Sequence, residues 1–153
     1  MKKLLRVGGF AAFCLIYPLL FVYLRIGTRT RVLIMVDGAV LLTRSWLGSG
    51  KWQLPGGGVH CGEEPLLAAI REVQEETGIT LTTKQLQFFY KDRSYYKGLH
   101  FDYSCYYAEL AKRPTIKKQM LEVSEIEWLP LKDFTERAVT KDTFTAVQNW
   151  LKR

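Results

Sequence analysis

Short runs of aliphatic residues predict a β-hairpin near the start of the main body of the chain. Residues 31–36 (RVLIMV) and 39–44 (AVLLTR) are rich in aliphatic side chains, and Asp37-Gly38 separates them. Asp-Gly between two apolar runs is a strong signal for a two-residue hairpin turn. Further apolar or alternating stretches predict strands at residues 86–90, 100–110 and 125–129. One face of the middle stretch is expected to carry Phe101, Tyr103, Cys105 and Tyr107.

Apolar residues at helical spacing predict two helices. The first spans residues 63–77, where Pro65 suits the first turn and Gly78 ends the helix. Its apolar stripe consists of Leu66, Ala69, Ile70 and Val73. The second begins near Asp142, whose side chain can cap it. Its buried side is expected to carry Phe144, Val147, Trp150 and Leu151. Strands interrupted by two helices predict a mixed sheet packed between helices.

Residues 7–24 differ from the rest of the chain because they form an 18-residue run without a charge. Basic residues flank this run on both sides: Lys2, Lys3, Arg6, Arg25, Arg29 and Arg31. A run of this length is close to the shortest that crosses a hydrocarbon core of ~30 Å. We therefore expect residues 1–26 to be a membrane anchor or a helix that lies on the membrane. The protein would then be membrane-associated, with residues 27–153 in the cytoplasm.

Two alternatives for residues 1–26 stay open. A helix packed on the domain would leave the protein soluble in the cytoplasm, although Pro18 disfavours a single long helix. A cleaved signal peptide fits the basic start and the apolar middle. However, the bulky residues Leu24, Arg25 and Ile26 do not form a small-x-small cleavage site.

The net charge of +7 belongs almost entirely to the N-terminal end of the chain. Residues 1–31 contain six basic and no acidic residues, whereas the remainder contains 16 basic and 15 acidic residues. A nearly neutral body does not predict specific nucleic-acid binding. Cys14, Cys61 and Cys105 are widely spaced and lack a CxxC pair, so neither a disulfide framework nor a zinc site is indicated.

Three glutamates lie close together near the end of the first predicted helix. Glu72, Glu75 and Glu76 are spaced i, i+3 and i+4, so their carboxylates project from one face. Like charges at this spacing cost about 0.2–0.5 kcal/mol per pair, and the helix dipole disfavours anions in the last turn. A divalent cation would offset this repulsion, because Mg²⁺ and Mn²⁺ prefer oxygen ligands. Arg71 could orient and partly neutralise the cluster. A solvated acidic face is the alternative interpretation.

The residues around these glutamates resemble a known family motif. Residues 57–79 (GGVHCGEEPLLAAIREVQEETGI) resemble the Nudix box, G-x5-E-x7-R-E-U-x-E-E-x-G-U, in which U is a bulky aliphatic residue. All nine specified positions match, at Gly57, Glu63, Arg71, Glu72, Val73, Glu75, Glu76, Gly78 and Ile79. Similar features before and after the box extend the resemblance over about residues 30–151.

The resemblance implies the Nudix α/β/α sandwich with a mixed β-sheet for residues 27–153. It also implies hydrolysis of a pyrophosphate bond in a nucleoside diphosphate linked to another group, as in a nucleoside triphosphate or ADP-ribose. The implied cofactor is Mg²⁺, with Mn²⁺ as an alternative. The implied metal ligands are Glu72, Glu75, Glu76 and the carbonyl of Gly56. The implied catalytic residues are Glu63, Arg71, Glu72 and Glu76, of which the first supports the cluster through the arginine.

Residues outside the box are candidates for the catalytic base and for phosphate binding. A metal-bound glutamate, or a later carboxylate among Glu122, Glu125 and Glu127, would activate the attacking water. Arg44 and Lys51 are the candidates for binding substrate phosphates, with solvated surface charge as the alternative. Neither the identity of the nucleotide substrate nor the formation of a homodimer follows from the sequence. A Nudix-fold module that binds nucleotides as a sensor, without catalysis, is the alternative function.

Overall fold

A mixed sheet between two helices forms the described part of the chain. The computed structural model describes residues 27–46, 50–96, 99–118 and 122–153. The predicted membrane segment, residues 1–26, lies outside the described residues. Among the residues that the structure does describe, no helix is both long and apolar enough to cross a bilayer.

The strands and helices follow one another in the order that the sequence predicts. The strands are β1 (Arg29–Val36), β2 (Ala39–Ser45), β3 (Gln87–Tyr96), β4 (Leu99–Glu109) and β5 (Val123–Pro130). The helices are α1 (Pro65–Thr77) and α2 (Lys141–Leu151), and short 3₁₀ turns at Leu131–Asp133 and Glu136–Ala138 precede the second helix. The strand order is β3-β4-β1-β2-β5, in which only β1 and β4 are parallel neighbours. This mixed sheet confirms the predicted fold class.

The first two strands form the predicted hairpin but separate soon after the turn. Asp37 and Gly38 have φ angles of 48° and 70°, and a type I′ turn requires positive values at both central residues. The paired residues of β1 and β2 are confined to the two positions on either side of this turn. Beyond them a gap opens between the two strands.

Residues 52–58 fill this gap. On the β2 side, Thr43 and Gln53 exchange both backbone hydrogen bonds, at 2.8 and 2.9 Å. On the β1 side, the amide of Val32 donates to the carbonyl of Pro55 at 2.9 Å. The glycine-rich stretch therefore continues the sheet between β1 and β2, where both helices can reach it.

Apolar layers cover both faces of the sheet, and each layer packs under a helix. The side chains of β1 alternate, so that Val32 and Ile34 face α1 whereas Leu33 and Met35 face α2. The α1 layer includes the whole predicted stripe, Leu66, Ala69, Ile70 and Val73. The α2 layer includes the predicted face of β4, namely Phe101, Tyr103, Cys105 and Tyr107. Both faces are therefore covered, as the α/β/α prediction requires.

Several element boundaries differ from the predictions, and two of the differences have a clear physical reason. The first helix begins at Pro65 rather than at residue 63, because Glu64 has an extended backbone. Strand β3 continues well beyond residue 90. The sequence does not predict this part of the strand, because its side chains are polar. They nevertheless pair across the sheet: Arg93 lies opposite Asp102 in β4 and binds it at 2.7 Å.

Several side chains of β1 and α2 lie in places that the sequence analysis did not predict. Arg29 and Arg31, counted there with the basic flank of the apolar segment, belong to β1, and Arg31 is buried. Asp142 is not the N-cap of α2, a position that Thr140 occupies. It lies instead in the first helical turn, buried against the guanidinium of Arg31. Leu151 was predicted to be buried but is 56% exposed.

Candidate active site

The glycine-rich loop brings backbone atoms into close contact with β1 and α1. Gly56 has a φ of 137°, and a Cβ there would lie 2.3 Å from the carbonyl oxygen of Thr30. A Cβ on Gly57 would lie 2.4 Å from a carboxylate oxygen of Glu72. Gly56 therefore requires glycine, because of both its backbone conformation and its close approach to β1, whereas a side chain on Gly57 would displace the carboxylate of Glu72.

Arg71 connects the acidic residues of α1 to the loop. Its Nε and Nη2 donate to the two carboxylate oxygens of Glu63, at 2.8 and 2.9 Å. Its Nη1 donates to Glu72 at 2.9 Å and to Glu75 at 3.1 Å. Nη2 also donates to the carbonyl of Gly58 at 2.9 Å. Bidentate, charge-assisted hydrogen bonds of this kind fix orientation as well as neutralising charge.

These hydrogen bonds change the ionisation of both partners. The hydrogen bonds from Arg71 lower the pKa of Glu63 to about 2, against an opposing effect of burial. The amide of His60, which donates to the same carboxylate at 2.9 Å, also lowers it. The hydrogen bonds to Glu63 in turn raise the pKa of Arg71 above its ordinary value. Both side chains are therefore charged throughout the neutral pH range.

Glu76 occupies a different environment from the other glutamates of the helix. It is only 8% exposed, and its Oε2 accepts a hydrogen bond from the amide of Gly56 at 3.2 Å. Burial raises the pKa of Glu76 to about 8. The charges of Glu72 and Glu122 add to this shift, whereas the Gly56 amide and the charge of Arg31 oppose it. Burial also raises the pKa of Glu72. Desolvation is thus the largest cause of the raised pKa at both carboxylates, although the hydrogen bond from Arg71 opposes it at Glu72.

The three glutamates proposed as metal ligands are not gathered at one point. Arg71 bridges Glu72 and Glu75, while Glu76 faces the loop. In the part of the chain that the structure describes, no three His, Cys, Asp or Glu side chains form a ready-made metal cage. The donor set nevertheless fits Mg²⁺, because this ion uses one or two carboxylates and keeps several of its waters. Its charge would also offset the desolvation that raises the pKa of Glu72 and Glu76.

The carbonyl of Gly56, the predicted backbone ligand, accepts a hydrogen bond from Nη1 of Arg31 at 3.0 Å. A carbonyl oxygen has two lone pairs, so one remains for a metal ion. Arg31 also pairs with Asp142 at 2.6 Å. Sequence reasoning missed both residues, because 111 positions separate them. The one signal in the sequence is that Arg31 is a charged residue at the start of an apolar strand.

Two further charged residues outside the box act on the glutamates. The charge of Glu122 contributes to the raised pKa of Glu76. Its backbone carbonyl accepts a hydrogen bond from Ser45 Oγ at 3.0 Å, which places it beside the end of β2. The charge of Arg29 opposes the raised pKa of Glu72. The sequence offers Glu122 as one of three candidate bases and groups Arg29 with the basic flank of the apolar segment.

The residues predicted to bind substrate phosphates lie at the end of β2 and after it. Arg44 donates to Glu125 at 3.3 Å, and its guanidinium lies 4.3 Å from the centre of the Trp52 ring. Lys51 precedes that tryptophan and is exposed. A guanidinium stacked on an aromatic ring is held in place without losing its charge. Among the later acids proposed as the base, Glu125 is paired with Arg44.

Comparison with known proteins yields a family and several relatives. The model of the NUDIX domain family matches residues 27–148. Nudix hydrolase 10 from Arabidopsis thaliana is 37% identical over 114 residues, which are 67% of this chain and 39% of the relative. RNA pyrophosphohydrolase from Bartonella quintana is 34% identical over 101 residues, which are 54% of this chain and 58% of the relative. The chain thus spans less than two thirds of the length of these curated relatives.

A solved structure has the same fold. The MutT NUDIX hydrolase from Burkholderia pseudomallei superimposes with a TM-score of 0.71 at 25% sequence identity. The superposition covers 80% of this chain and 96% of that protein.

Proposed function

Because this chain belongs to the NUDIX domain family, we propose that it hydrolyses a pyrophosphate bond in a nucleoside diphosphate linked to another group, with Mg²⁺ or Mn²⁺ as cofactor. The observation that carries this proposal is that the buried Glu76 and the partly buried Glu72 both lie beside the glycine loop. Burial raises the pKa of both, and a doubly charged ion would offset that effect. The Bartonella quintana relative is named for pyrophosphate hydrolysis, which supports the same class of reaction.

The chain's own residues would hold the ion and keep its ligands in place. The proposed ligands are Glu72, Glu75, Glu76 and the carbonyl of Gly56. When bound, the cation neutralises charge on the phosphate oxygens of the bond that breaks. Arg71 orients two of the ligands by hydrogen bonds, and Glu63 fixes the guanidinium by its bidentate pair. The catalytic set therefore consists of Glu63, Arg71, Glu72 and Glu76.

The attacking water must lose a proton to a carboxylate oxygen. Glu122 is the best supported of the later acids, because its charge acts on Glu76 whereas Glu125 is paired with Arg44. A metal-bound glutamate is the alternative base. We propose that Arg44, stacked on its tryptophan, and Lys51 bind the substrate phosphates.

A substrate panel tests the proposal. Full-length protein would be incubated with nucleoside triphosphates, ADP-ribose, dinucleoside polyphosphates, nucleotide sugars and 5′-triphosphorylated RNA, with Mg²⁺ or with EDTA. At least one substrate should be cleaved at a pyrophosphate bond, and only with the cation present. Glu122→Gln should lower kcat by about 10²-fold or more if this residue is the base. Glu109→Gln is the matched control, since Glu109 pairs with Met35 at the opposite end of β1 from the glycine loop.

The possible results of the panel differ in meaning. Tight nucleotide binding without cleavage of any substrate would favour a binding or sensor module. Neither binding nor cleavage across the panel would contradict the proposed activity. Cleavage that persists in EDTA would contradict the proposed metal dependence.

We also propose that residues 7–24 hold the protein at a membrane, outside a catalytic domain of residues 27–153. This proposal rests on the uncharged sequence and its basic flanks. Full-length protein should sediment with membranes and be released by detergent but not by high salt. The double variant Leu15→Lys, Leu19→Lys should remain in the supernatant. A wild-type protein found entirely in the supernatant would contradict the proposal, and light scattering of the detergent-released protein would show whether it is a homodimer.

A further inference from the structure

A buried ion pair connects the start of α2 to the first strand. Nε of Arg31 lies 2.6 Å from Oδ2 of Asp142, and their side chains are only 7% and 4% exposed. Burying two charges is costly, so such a pair is weak evidence for stability by itself. The position of this pair relative to the proposed metal site suggests another role.

The same guanidinium also binds the loop beside the glutamates. Nη1 of Arg31 donates to the carbonyl of Gly56 at 3.0 Å. The amide of Gly56 donates to Oε2 of Glu76 at 3.2 Å. A continuous series of contacts therefore runs from Asp142 through Arg31 and Gly56 to the most deeply buried carboxylate of the site.

Residues at the start of α2 also hold the segment that leads into the glycine loop. The amide of Trp52 donates to the carbonyl of Ala138 at 3.0 Å, and its carbonyl accepts from the amide of Thr140 at 2.9 Å. The amide of Leu54 donates to Oγ1 of Thr143 at 2.9 Å. The start of α2 and the residues just before it therefore hold residues 52–54 directly. Asp142 holds Gly56 indirectly, through Arg31.

Arg31 and Glu76 bind the same residue of the loop, since Arg31 donates to the carbonyl of Gly56 and Glu76 accepts from its amide. While Asp142 is present, its carboxylate pairs with the guanidinium of Arg31. Without that partner, Arg31 would be a buried, unpaired cation next to a buried carboxylate. It would then compete with a metal ion for Glu76.

We propose that Asp142 is a positioning residue for the metal site: acting through Arg31, it fixes the Gly56 backbone and leaves Glu76 available to the cation. This inference rests on the proposed metal-dependent activity. This inference gives α2 a part in the metal site, although α2 lies on the opposite face of the sheet from α1. Asp142 itself contacts neither the ion nor the substrate.

The test is a titration of full-length protein with Mn²⁺, with free ion measured by electron paramagnetic resonance. Asp142→Asn should weaken Mn²⁺ binding by about 10–100-fold, the range found for residues that orient metal ligands. Val147→Ala, a buried change on the same helix, controls for loss of packing. Glu109→Gln controls for the loss of one negative charge. Both controls should bind Mn²⁺ within about twofold of wild type, as expected for sites without shared partners.

A second variant keeps the inference testable should Asp142→Asn fail to fold. Arg31→Lys retains the charge beside Asp142, but an ammonium lacks the planar fork that reaches the carboxylate and the Gly56 carbonyl together. It should also weaken Mn²⁺ binding, and it should lower kcat more than it raises the KM for nucleotide. Circular dichroism would establish that each variant titrated is folded.

The outcomes separate this inference from the proposed function. If wild-type protein binds Mn²⁺ and cleaves a substrate while Asp142→Asn or Arg31→Lys binds Mn²⁺ equally well, only the inference is overturned. If Val147→Ala weakens binding as much as Asp142→Asn, the effect is one of stability and the inference is also overturned. If wild-type protein neither binds Mn²⁺ nor cleaves any substrate, both are overturned.

Discussion

At the scale of single residues, Arg71 links more of the site than any other side chain described above. It donates to Glu63, Glu72, Glu75 and the carbonyl of Gly58. Arg71→Lys should lower kcat by about 10–100-fold, because an ammonium cannot reproduce the bidentate pair while also reaching the other acceptors. Steady-state kinetics on the cleaved substrate would measure the effect.

The matched control for this prediction is Arg93→Lys. Arg93 binds Asp102 at 2.7 Å, but both side chains are well exposed, and exposed pairs contribute little. The control should leave kcat and the unfolding temperature unchanged. An Arg71→Lys variant with wild-type kcat would show that the hydrogen bonds to the glutamates do not matter for turnover.

Glu76 has an expected effect on stability that is opposite to its effect on function. Its carboxylate is buried with one amide donor, and burial raises its pKa to about 8. In EDTA, Glu76→Gln should therefore raise the free energy of unfolding by about 1–3 kcal/mol, since the amide oxygen keeps the hydrogen bond without a charge. Urea unfolding at pH 7.5 would measure this difference. A less stable variant would contradict the described environment of Glu76.

The sequence singles out Glu63, Arg71 and the three glutamates of α1 as candidates because the box fixes residue types at fixed spacings within 23 residues of sequence. Arg31 could not be predicted, because its partners Asp142 and Gly56 are far from it in sequence. In the sequence, Arg31 is indistinguishable from the other basic residues that flank the uncharged run at residues 7–24. Its role depends on a tertiary contact that local patterns do not contain.

At the scale of elements, the docking of α2 on the sheet has a predicted pH dependence. Burial alone would raise the pKa of Asp142, but the charge of Arg31 and several hydrogen bonds lower it below its ordinary value of 3.8. A carboxyl group whose pKa is lower in the folded state than in the unfolded state stabilises the fold fully when the pH is above the unfolded-state pKa. This contribution is lost as the pH falls through the folded-state pKa. The contribution should therefore be complete near pH 6 and decline below about pH 4.

Urea unfolding of wild type and Asp142→Asn at pH 6 and pH 3 tests this expectation. At pH 6 the variant should be less stable by roughly 3–5 kcal/mol, the usual cost of removing one partner of a buried pair. The difference should be smaller at pH 3. Asp102→Asn, in an exposed pair, should show no comparable loss. A difference that is the same at both pH values would contradict the pKa direction.

Elements with strong local signals could be predicted from the sequence. The hairpin follows from Asp37-Gly38, and the first helix follows from its apolar stripe and the stop at Gly78, which has a φ of 72°. The full length of β3 could not be predicted, because Lys91, Asp92 and Arg93 carry no apolar pattern. That part of the strand is defined by its pairing with β4.

At the scale of the whole molecule, the class of fold could be predicted but not the arrangement of the strands. The parallel pairing of β1 with β4 joins residues about 74 positions apart, such as Thr30 and Ser104. No local pattern specifies such a pairing. The arrangement matters for function, because it leaves room for residues 52–58 between β1 and β2 and so places the glycine loop where both helices reach it.

We propose that Glu72, Glu75 and Glu76 hold a divalent cation that the hydrolysis requires. The most direct measurement is kcat for the cleaved substrate as a function of Mg²⁺ concentration, for wild type and Glu76→Gln. Wild type should be inactive in EDTA and saturate with Mg²⁺, whereas the variant should lose on the order of 10²-fold or more in kcat while remaining folded. A folded Glu76→Gln protein with wild-type kcat and the same dependence on Mg²⁺ would contradict the proposed role of Glu76 in binding the cation.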